Sequence, residues 1–290
     1  MAEFADLRLA LPKGRMMNGV LGLLAEAGLP IGVGERDYRP SAPPAGMDVK
    51  MLKPQNIVEM LAAGSRDLGF AGADWVDELD AGLDEVLDTG LDPVRLVAAA
   101  PAALAEAGFP SVGTGRRLRV ASEYERITRR WMASRGLDAE FVRSYGATEA
   151  FPPDDADCIV DNSSSGATLR ANGLCVVDEL SRSTTRLYAS RNALADPGRR
   201  ERIEHLATLL GGVLCARSRV LLEVNVDPER LDALISRLPS MKEPTVSALR
   251  GRGYAVKVAA PRAGLPELIR DIRNLGGTDI VVSSPSQIMP

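Results

Sequence analysis

Short apolar runs alternate with amphipathic segments along most of this chain, and that alternation constrains the fold more than any single motif. It is the pattern of an α/β protein, with strands gathered into a sheet and helices packed on its faces. Residues 7–11, 47–52, 67–71 and 92–100 read as strands. Residues 16–27 and 54–63 read as helices, the second opening on Pro54 at the one helical position that tolerates proline. A short helix starts near Asp74, and residues 101–115, punctuated by Gly and Pro, read as a crossover. A second α/β unit has strands at 118–122, 139–143, 157–161, 175–180 and 185–190. Its helices fall at 123–134, near 147–151 and from Ser165, and a long helix follows Asp196-Pro197-Gly198 to about Cys215. Beyond Ser218 come strand 219–226, helix 228–237, strands 245–249 and 254–260, helix 265–274 and strand 279–283. That βαββαβ order is ferredoxin-like.

Composition matters chiefly for what it excludes. At ~150 residues per domain, 290 residues make about two domains. A single histidine, His205, rules out a multi-histidine metal site. The cysteines, Cys158, Cys175 and Cys215, contain no C-x-x-C pair, so a zinc ribbon or a disulfide framework is not expected. They read as reduced core thiols of a cytoplasmic protein. A net charge of −4 and 4% aromatics give no basic footprint or stacking rings for nucleic acid. Neither a signal peptide nor an apolar run of the ~20 residues that span a bilayer is evident, so no membrane partner is expected.

The most informative stretch is Cys158-Ile159-Val160-Asp161-Asn162-Ser163-Ser164-Ser165-Gly166-Ala167-Thr168-Leu169. An apolar strand ends in a carboxylate, then small hydroxyls and a glycine lead into a helix. Free amides beside Ser and Thr hydroxyls bind anions, and Gly166 lets the backbone approach a phosphate. Asp161 can accept from ribose hydroxyls, so the pattern suits a phosphoribosyl group. The same residues also suit a Ser-rich turn that only caps a helix. Lys13 and Arg15 follow the first strand, where open α/β sheets bind ligands, and suit a pyrophosphate or a solvated turn equally. Lys53, Asp74 and Glu149 also stand at strand ends or first helical turns, where a lysine is often merely exposed and an acid merely caps. Arg126, Arg129 and Arg130 share one helix face, and with Arg116, Arg117, Arg119, Arg135 and Arg143 concentrate positive charge. That concentration reads as attraction of a polyanion or another subunit, or as a solvated face paired with Glu123 and Glu125.

In this order the motifs resemble the ATP phosphoribosyltransferases of histidine biosynthesis, in their long form. The anchors are Leu9-Ala10-Leu11-Pro12-Lys13-Gly14-Arg15, Leu52-Lys53-Pro54-Gln55-Asn56-Ile57 and Asp67-Leu68-Gly69-Phe70-Ala71-Gly72-Ala73-Asp74. Gly146-Ala147-Thr148-Glu149, Ser165-Gly166-Ala167-Thr168-Leu169-Arg170-Ala171-Asn172-Gly173-Leu174 and Glu243-Pro244-Thr245-Val246-Ser247 complete the set with Ile280-Val281-Val282. The resemblance implies a two-lobed, periplasmic-binding-protein-like catalytic region plus a ferredoxin-like domain that senses histidine. Lobe I would comprise residues 1–100 and 182–217, lobe II residues 101–181, and the regulatory domain residues 218–290.

The implied reaction converts ATP and phosphoribosyl pyrophosphate to phosphoribosyl-ATP and pyrophosphate, with Mg²⁺ carried by the substrate and Asp161 its one candidate protein ligand. Asp161 and Lys13 are then the expected catalytic residues. Arg15, Lys53, Asp74, Glu149, Ser163, Ser164, Ser165, Gly166, Ala167 and Thr168 are the expected substrate contacts. Asn225 and Thr245 match the family's effector region, though both also suit ordinary strand and turn positions. Dimers and a hexamer in the cytoplasm are implied as well. Two departures stand out. Lys53-Pro54-Gln55-Asn56 replaces the usual Arg-Pro-Lys-Asp, which loses arginine's bidentate fork. Asn162 and Ser163 replace two residues that are typically apolar, either extending the polar loop or shifting the strand end. Two rival readings are a type I phosphoribosyltransferase acting on another base and a two-lobed binding protein without catalysis. The first normally has two adjacent acids where this chain has Asp161-Asn162, and the second, if exported, needs a signal peptide.

Overall fold

A computed structural model describes residues 4, 6–34, 38–40, 46–109, 116–239, 241 and 243–289. Residues 110–115 of the expected crossover lie outside the described set. The chain divides into two compact units, Met1–Leu21 with Ile31–Glu204, and Gly22–Pro30 with His205–Pro290.

The first unit is built on one eight-stranded sheet in the order β2-β1-β3-β8-β4-β7-β5-β6. Strands β1 (Arg8–Pro12), β2 (Asp48–Leu52) and β3 (Leu68–Gly72) run parallel to one another. Helices α1 (Met17–Glu26), α2 (Pro54–Ala62) and α3 (Ala73–Leu79) follow them in turn. A long strand β4 (Asp84–Pro101) and the short helix α4 (Ala102–Glu106) lead to a second parallel set. This set comprises β5 (Leu118–Ser122), β6 (Ala139–Arg143) and β7 (Cys158–Ser163), with α5 (Glu125–Ser134) after β5 and α6 (Ala167–Ala171) after β7. The return strand β8 (Leu174–Ala189) pairs antiparallel with β4 and β3. Two parallel groups joined through a pair of long crossing strands make the two-lobed, periplasmic-binding-protein-like layout. Buried aliphatic residues hold each group, Leu9, Leu11, Met51 and Leu68 in one and Val120, Ile127 and Val160 in the other.

The structure corrects several boundaries. Residues 175–180 and 185–190 are one strand, because bulges absorb the polar residues between them: Ser181 and Ser183 still pair with Leu96 and Val94. The same bulged ladder lengthens the strand expected at 92–100 back to Asp84. Asn162 and Ser163 pair with Leu96 and Arg95, so their polar side chains extend β7 and leave the loop to start later. Helices expected from 123 and 165 begin at Glu125 and Ala167. The short helix expected near 147–151 is a 3-10 turn, Thr148–Ala150.

Helices α7 (Arg191–Ala195) and α8 (Pro197–Arg217) follow β8, and the second unit's sheet begins at β9 (Arg219–Val226). With α9 (Leu231–Ile235), β10 (Thr245–Ala248), β11 (Tyr254–Pro261), α10 (Leu265–Asn274) and β12 (Thr278–Ser283) it forms an antiparallel sheet of order β10-β11-β9-β12. The helix expected at 228–237 splits into a 3-10 turn, Pro228–Arg230, and α9. That strand order is the ferredoxin-like one. Val220, Leu222, Val224 and Val226 alternate onto the face that packs with Leu234 and Ile272. Among the described residues no helix is long and apolar enough to cross a membrane.

Candidate active site

Each parallel set gathers the carboxyl ends of its strands along one edge, where open sheets receive ligands. Lys13, Lys53 and Asp74 therefore follow β1, β2 and β3, Glu123 and Glu149 follow β5 and β6, and Asp161 lies in the carboxyl-terminal half of β7. Two cavities lie there. One is lined by Lys13, Arg15, Asp74, Trp75, Tyr124 and Asn162 with residues of the bulged β4–β8 ladder. The other is lined by Arg15, Glu149 and the stretch Asp161 to Leu169. Arg15 and Asn162 line both.

The second cavity contains the expected phosphate loop. Gly166 adopts φ +73°, a left-handed conformation that favours glycine, and turns the chain into α6. Among the described residues, the backbone N–H groups of Ser164, Ser165 and Gly166 donate to no protein acceptor. Three unspent donors beside the exposed Thr168 make a cradle for an anion. Arg170 closes its far side, donating to the Ser165 carbonyl at 3.0 Å. Ser163 is buried, in β7. Asp161 accepts from the Asn162 N–H at 2.7 Å. Burial, together with the charges of Glu149, Glu123 and Asp74, pushes its carboxyl up to about 6.

On the other side the cations are available. Lys13 places its ammonium 3.3 Å from the centre of the Tyr38 ring, and Arg15 has no acidic partner among the described residues. Lys53 is exposed and lines neither cavity. Asp74 is 8% exposed and engaged at both oxygens, by Ser183 Oγ at 2.7 Å and by the Tyr124 hydroxyl at 2.7 Å. Gly72 permits this, since a Cβ there would collide with Asp74 Oδ1. Tyr124 stacks on Trp75 with ring centres 4.5 Å apart and accepts from Asn162 Nδ2 at 3.0 Å.

Sequence reasoning missed Tyr38, Trp75, Tyr124 and Ser183. No local signal marks them, because fold register alone brings them to the site. The arginines of the cationic stretch are paired, Arg126 with Asp80, Arg130 with Asp77, Arg129 and Arg143 with Glu125, and Arg116 with Asp157. The pairing reading thus holds for that face: Glu125 pairs as expected, while Asp77 in α3 and Asp80 just after it stand in for Glu123. Asn225 and Thr245 lie on the sheet face of the second unit opposite its helices, one strand apart across β11. Asn225 Nδ2 donates to Asp279 at 3.0 Å.

Residues 53–212 match the family model described as ATP phosphoribosyltransferase, and residues 216–285 match that of the HisG C-terminal domain. The chain is 35% identical to the ATP phosphoribosyltransferase of Pelotomaculum thermopropionicum, covering 98% of this chain and 99% of the relative. It is 34% identical to that of Chlorobium chlorochromatii over 94% of each. Among solved structures it is similar to the ATP phosphoribosyl transferase (HisG:HisZ) complex from Thermotoga maritima, at 25% identity and a TM-score of 0.61, covering 71% of this chain and 96% of that one. With both family models and near full-length relatives in agreement, the chain belongs to the ATP phosphoribosyltransferase family.

Proposed function

We propose that this enzyme transfers the phosphoribosyl group of phosphoribosyl pyrophosphate to ring nitrogen 1 of ATP, the first step of histidine biosynthesis, and is feedback-inhibited by histidine. The observation that carries the reading is the row of unspent N–H donors at Ser164, Ser165 and Gly166, set just beyond the end of the strand that carries the Asp161 carboxylate. It suits a group that is a phosphate at one end and a ribose at the other. Ser163 to Thr168 would hold the 5′-phosphate, and Asp161 would face the ribose hydroxyls. Lys13 and Arg15 would meet the pyrophosphate, with Asp74 and Glu149 completing the walls.

The nucleophile needs no base. Ring nitrogen 1 of adenine has a free lone pair, which forms the bond to the anomeric carbon as the bond to pyrophosphate oxygen breaks. The departing oxygen keeps the electron pair, and the transition state has oxocarbenium character. Asp161 stabilises that positive charge, while Lys13 and Arg15 neutralise the leaving group. Catalysis then rests on alignment and preorganised charge. Mg²⁺ fits the site: Asp161 faces other carboxylates without a counter-charge, which a cation would relieve. Asp161 would hold the ion together with the substrate's own pyrophosphate oxygens. When bound, Mg²⁺ supplies further neutralisation of the leaving group.

The lobes are assigned as residues 1–100 with 182–217 and residues 101–181, and the regulatory domain as residues 218–290, with Asn225 and Thr245 toward histidine. The setting is cytoplasmic and the assembly a homo-oligomer, dimeric or hexameric. Lys53 is the least supported substrate contact because it lines neither cavity. The test is to mix ATP, phosphoribosyl pyrophosphate and Mg²⁺ and follow phosphoribosyl-ATP absorbance with and without histidine. Product formation that histidine suppresses supports the reading, and absence of product removes it.

A further inference from the structure

A chain of hydrogen bonds fixes which way the Asn162 amide faces. Asp74 accepts at Oδ1 from Ser183 and at Oδ2 from Tyr124. The single proton of the Tyr124 hydroxyl is therefore spent on Asp74 Oδ2. The Tyr124 oxygen is left only as an acceptor toward Asn162. The amide therefore presents Nδ2 to the tyrosine, at 3.0 Å. The flipped amide would set Oδ1 against the tyrosine oxygen, lone pair to lone pair. Burial first, and then the Asp74 charge, raises the Tyr124 hydroxyl far above its ordinary value, so its proton stays in place.

The consequence is an oriented acceptor in the cleft. Asn162 Oδ1 receives no donor among the described residues, and Asn162 lines both the cavity of the phosphate loop and that of Trp75 and Tyr124. We infer that Asn162 is a specificity-determining residue for the nucleotide acceptor, its Oδ1 accepting a hydrogen bond from the 6-amino group of adenine. Ring nitrogen 1, adjacent to that amino group, is then turned toward the anomeric carbon. A 6-oxo purine would bring its carbonyl lone pairs against Oδ1 and be rejected. As nitrogen 1 forms its new bond, the amino group loses electron density and its N–H becomes a better donor. The contact is thus stronger in the transition state than in the ground state.

This inference rests on the proposed reaction, and the experiment separates the two. Steady-state kinetics are measured with ATP and with purine riboside 5′-triphosphate, which lacks the 6-amino group but keeps the ring-nitrogen lone pair. Wild type, Asn162→Leu and Tyr124→Phe are compared, with inosine 5′-triphosphate as competing inhibitor. The ATP-to-analogue ratio of kcat/KM is expected to fall roughly three- to tenfold in Asn162→Leu, the range for one neutral hydrogen bond. In Tyr124→Phe the amide is freed to flip, so the ratio falls and inhibition by inosine triphosphate strengthens. A merely structural role would slow both nucleotides alike. An unchanged ratio in both variants, with wild type forming phosphoribosyl-ATP, overturns the inference and leaves the reaction standing. A wild type that forms no phosphoribosyl-ATP overturns the reaction and the inference with it.

Discussion

Asp161 follows the apolar half of β7, and its carboxyl is pushed up to about 6 by burial and by facing Glu149, Glu123 and Asp74. A fold keeps such a cost where a cationic ligand or transition state repays it, which is common at functional sites. Replacing Asp161 with Asn, or Thr168 with Val, should lower turnover or phosphoribosyl pyrophosphate affinity by roughly tenfold or more, read from kcat and KM. Wild-type kinetics in either variant would remove this loop from the site. The loop was legible in the sequence because its parts are consecutive: strand, carboxylate, hydroxyls, glycine. Asp74 was legible only as a residue at a strand end. Its partners Ser183 and Tyr124 lie 109 and 50 positions away, and nothing local marks them. The same holds for Asn162, whose orientation becomes evident only through Tyr124.

At the level of elements, α3 and α5 show how a helix can begin without a cap of its own. Tyr124 at the N-cap of α5 makes no side-chain cap bond. Glu78 on α3 supplies it, accepting from the Arg126 and Ile127 N–H groups at 3.0 Å each. Glu78→Ala would leave two donors unsatisfied in a partly dry interface and should cost about 1–2 kcal/mol, measured by denaturant unfolding. Since this cap is remote in sequence, local pattern placed the helix start at 123 rather than at Glu125. The parallel strands, with clean apolar runs, were readable, whereas β4 and β8 were not, because bulges hide their period.

A second tie anchors β1 to β3. Asp67 is fully buried and accepts from the Arg8 backbone and guanidinium and from Arg199. Burial alone would raise its carboxyl; the Arg8 bonds and both positive charges outweigh that and hold it below the usual range. A depressed native value means the contribution is complete above an unfolded pKa of about 4 and is lost as pH falls through the native value. Asp67→Asn should therefore cost about 2–3 kcal/mol at neutral pH, below the full cost of a buried pair because Arg8 keeps some solvent. The deficit should shrink in acid. Unfolding at neutral pH and again below pH about 3 checks this, and a pH-independent difference would refute it.

Across the whole molecule, chemistry and regulation are assigned to different compact units. The candidate active site lies in the unit built on the eight-stranded sheet, and the candidate effector residues lie in the unit with the four-stranded one. Helices α1 and α8 carry the chain from one unit into the other, and α1 begins just after Arg15. The ferredoxin-like tail was readable because β9 alternates strictly and the order of its elements is short-range. The proposed effector role is not readable from pattern, since Asn225 and Thr245 come to share one face only through the β10–β11–β9 register. On that face Lys257 of β11 bridges to Glu223 of β9 at 2.9 Å, beside the exposed Val281 of β12. A zwitterion such as histidine offers both signs of charge to such a face. If histidine binds there, its effect on the candidate active site is a coupling free energy, and reciprocity requires substrates to change histidine affinity by the same factor. Asn225→Ala should then raise the half-inhibitory histidine concentration by about tenfold, within the usual range of allosteric coupling. Direct binding of histidine to wild type, measured by calorimetry with and without phosphoribosyl pyrophosphate, should show the matching shift in affinity. Inhibition of Asn225→Ala and Thr245→Ala at the wild-type histidine concentration would move the effector site away from this face.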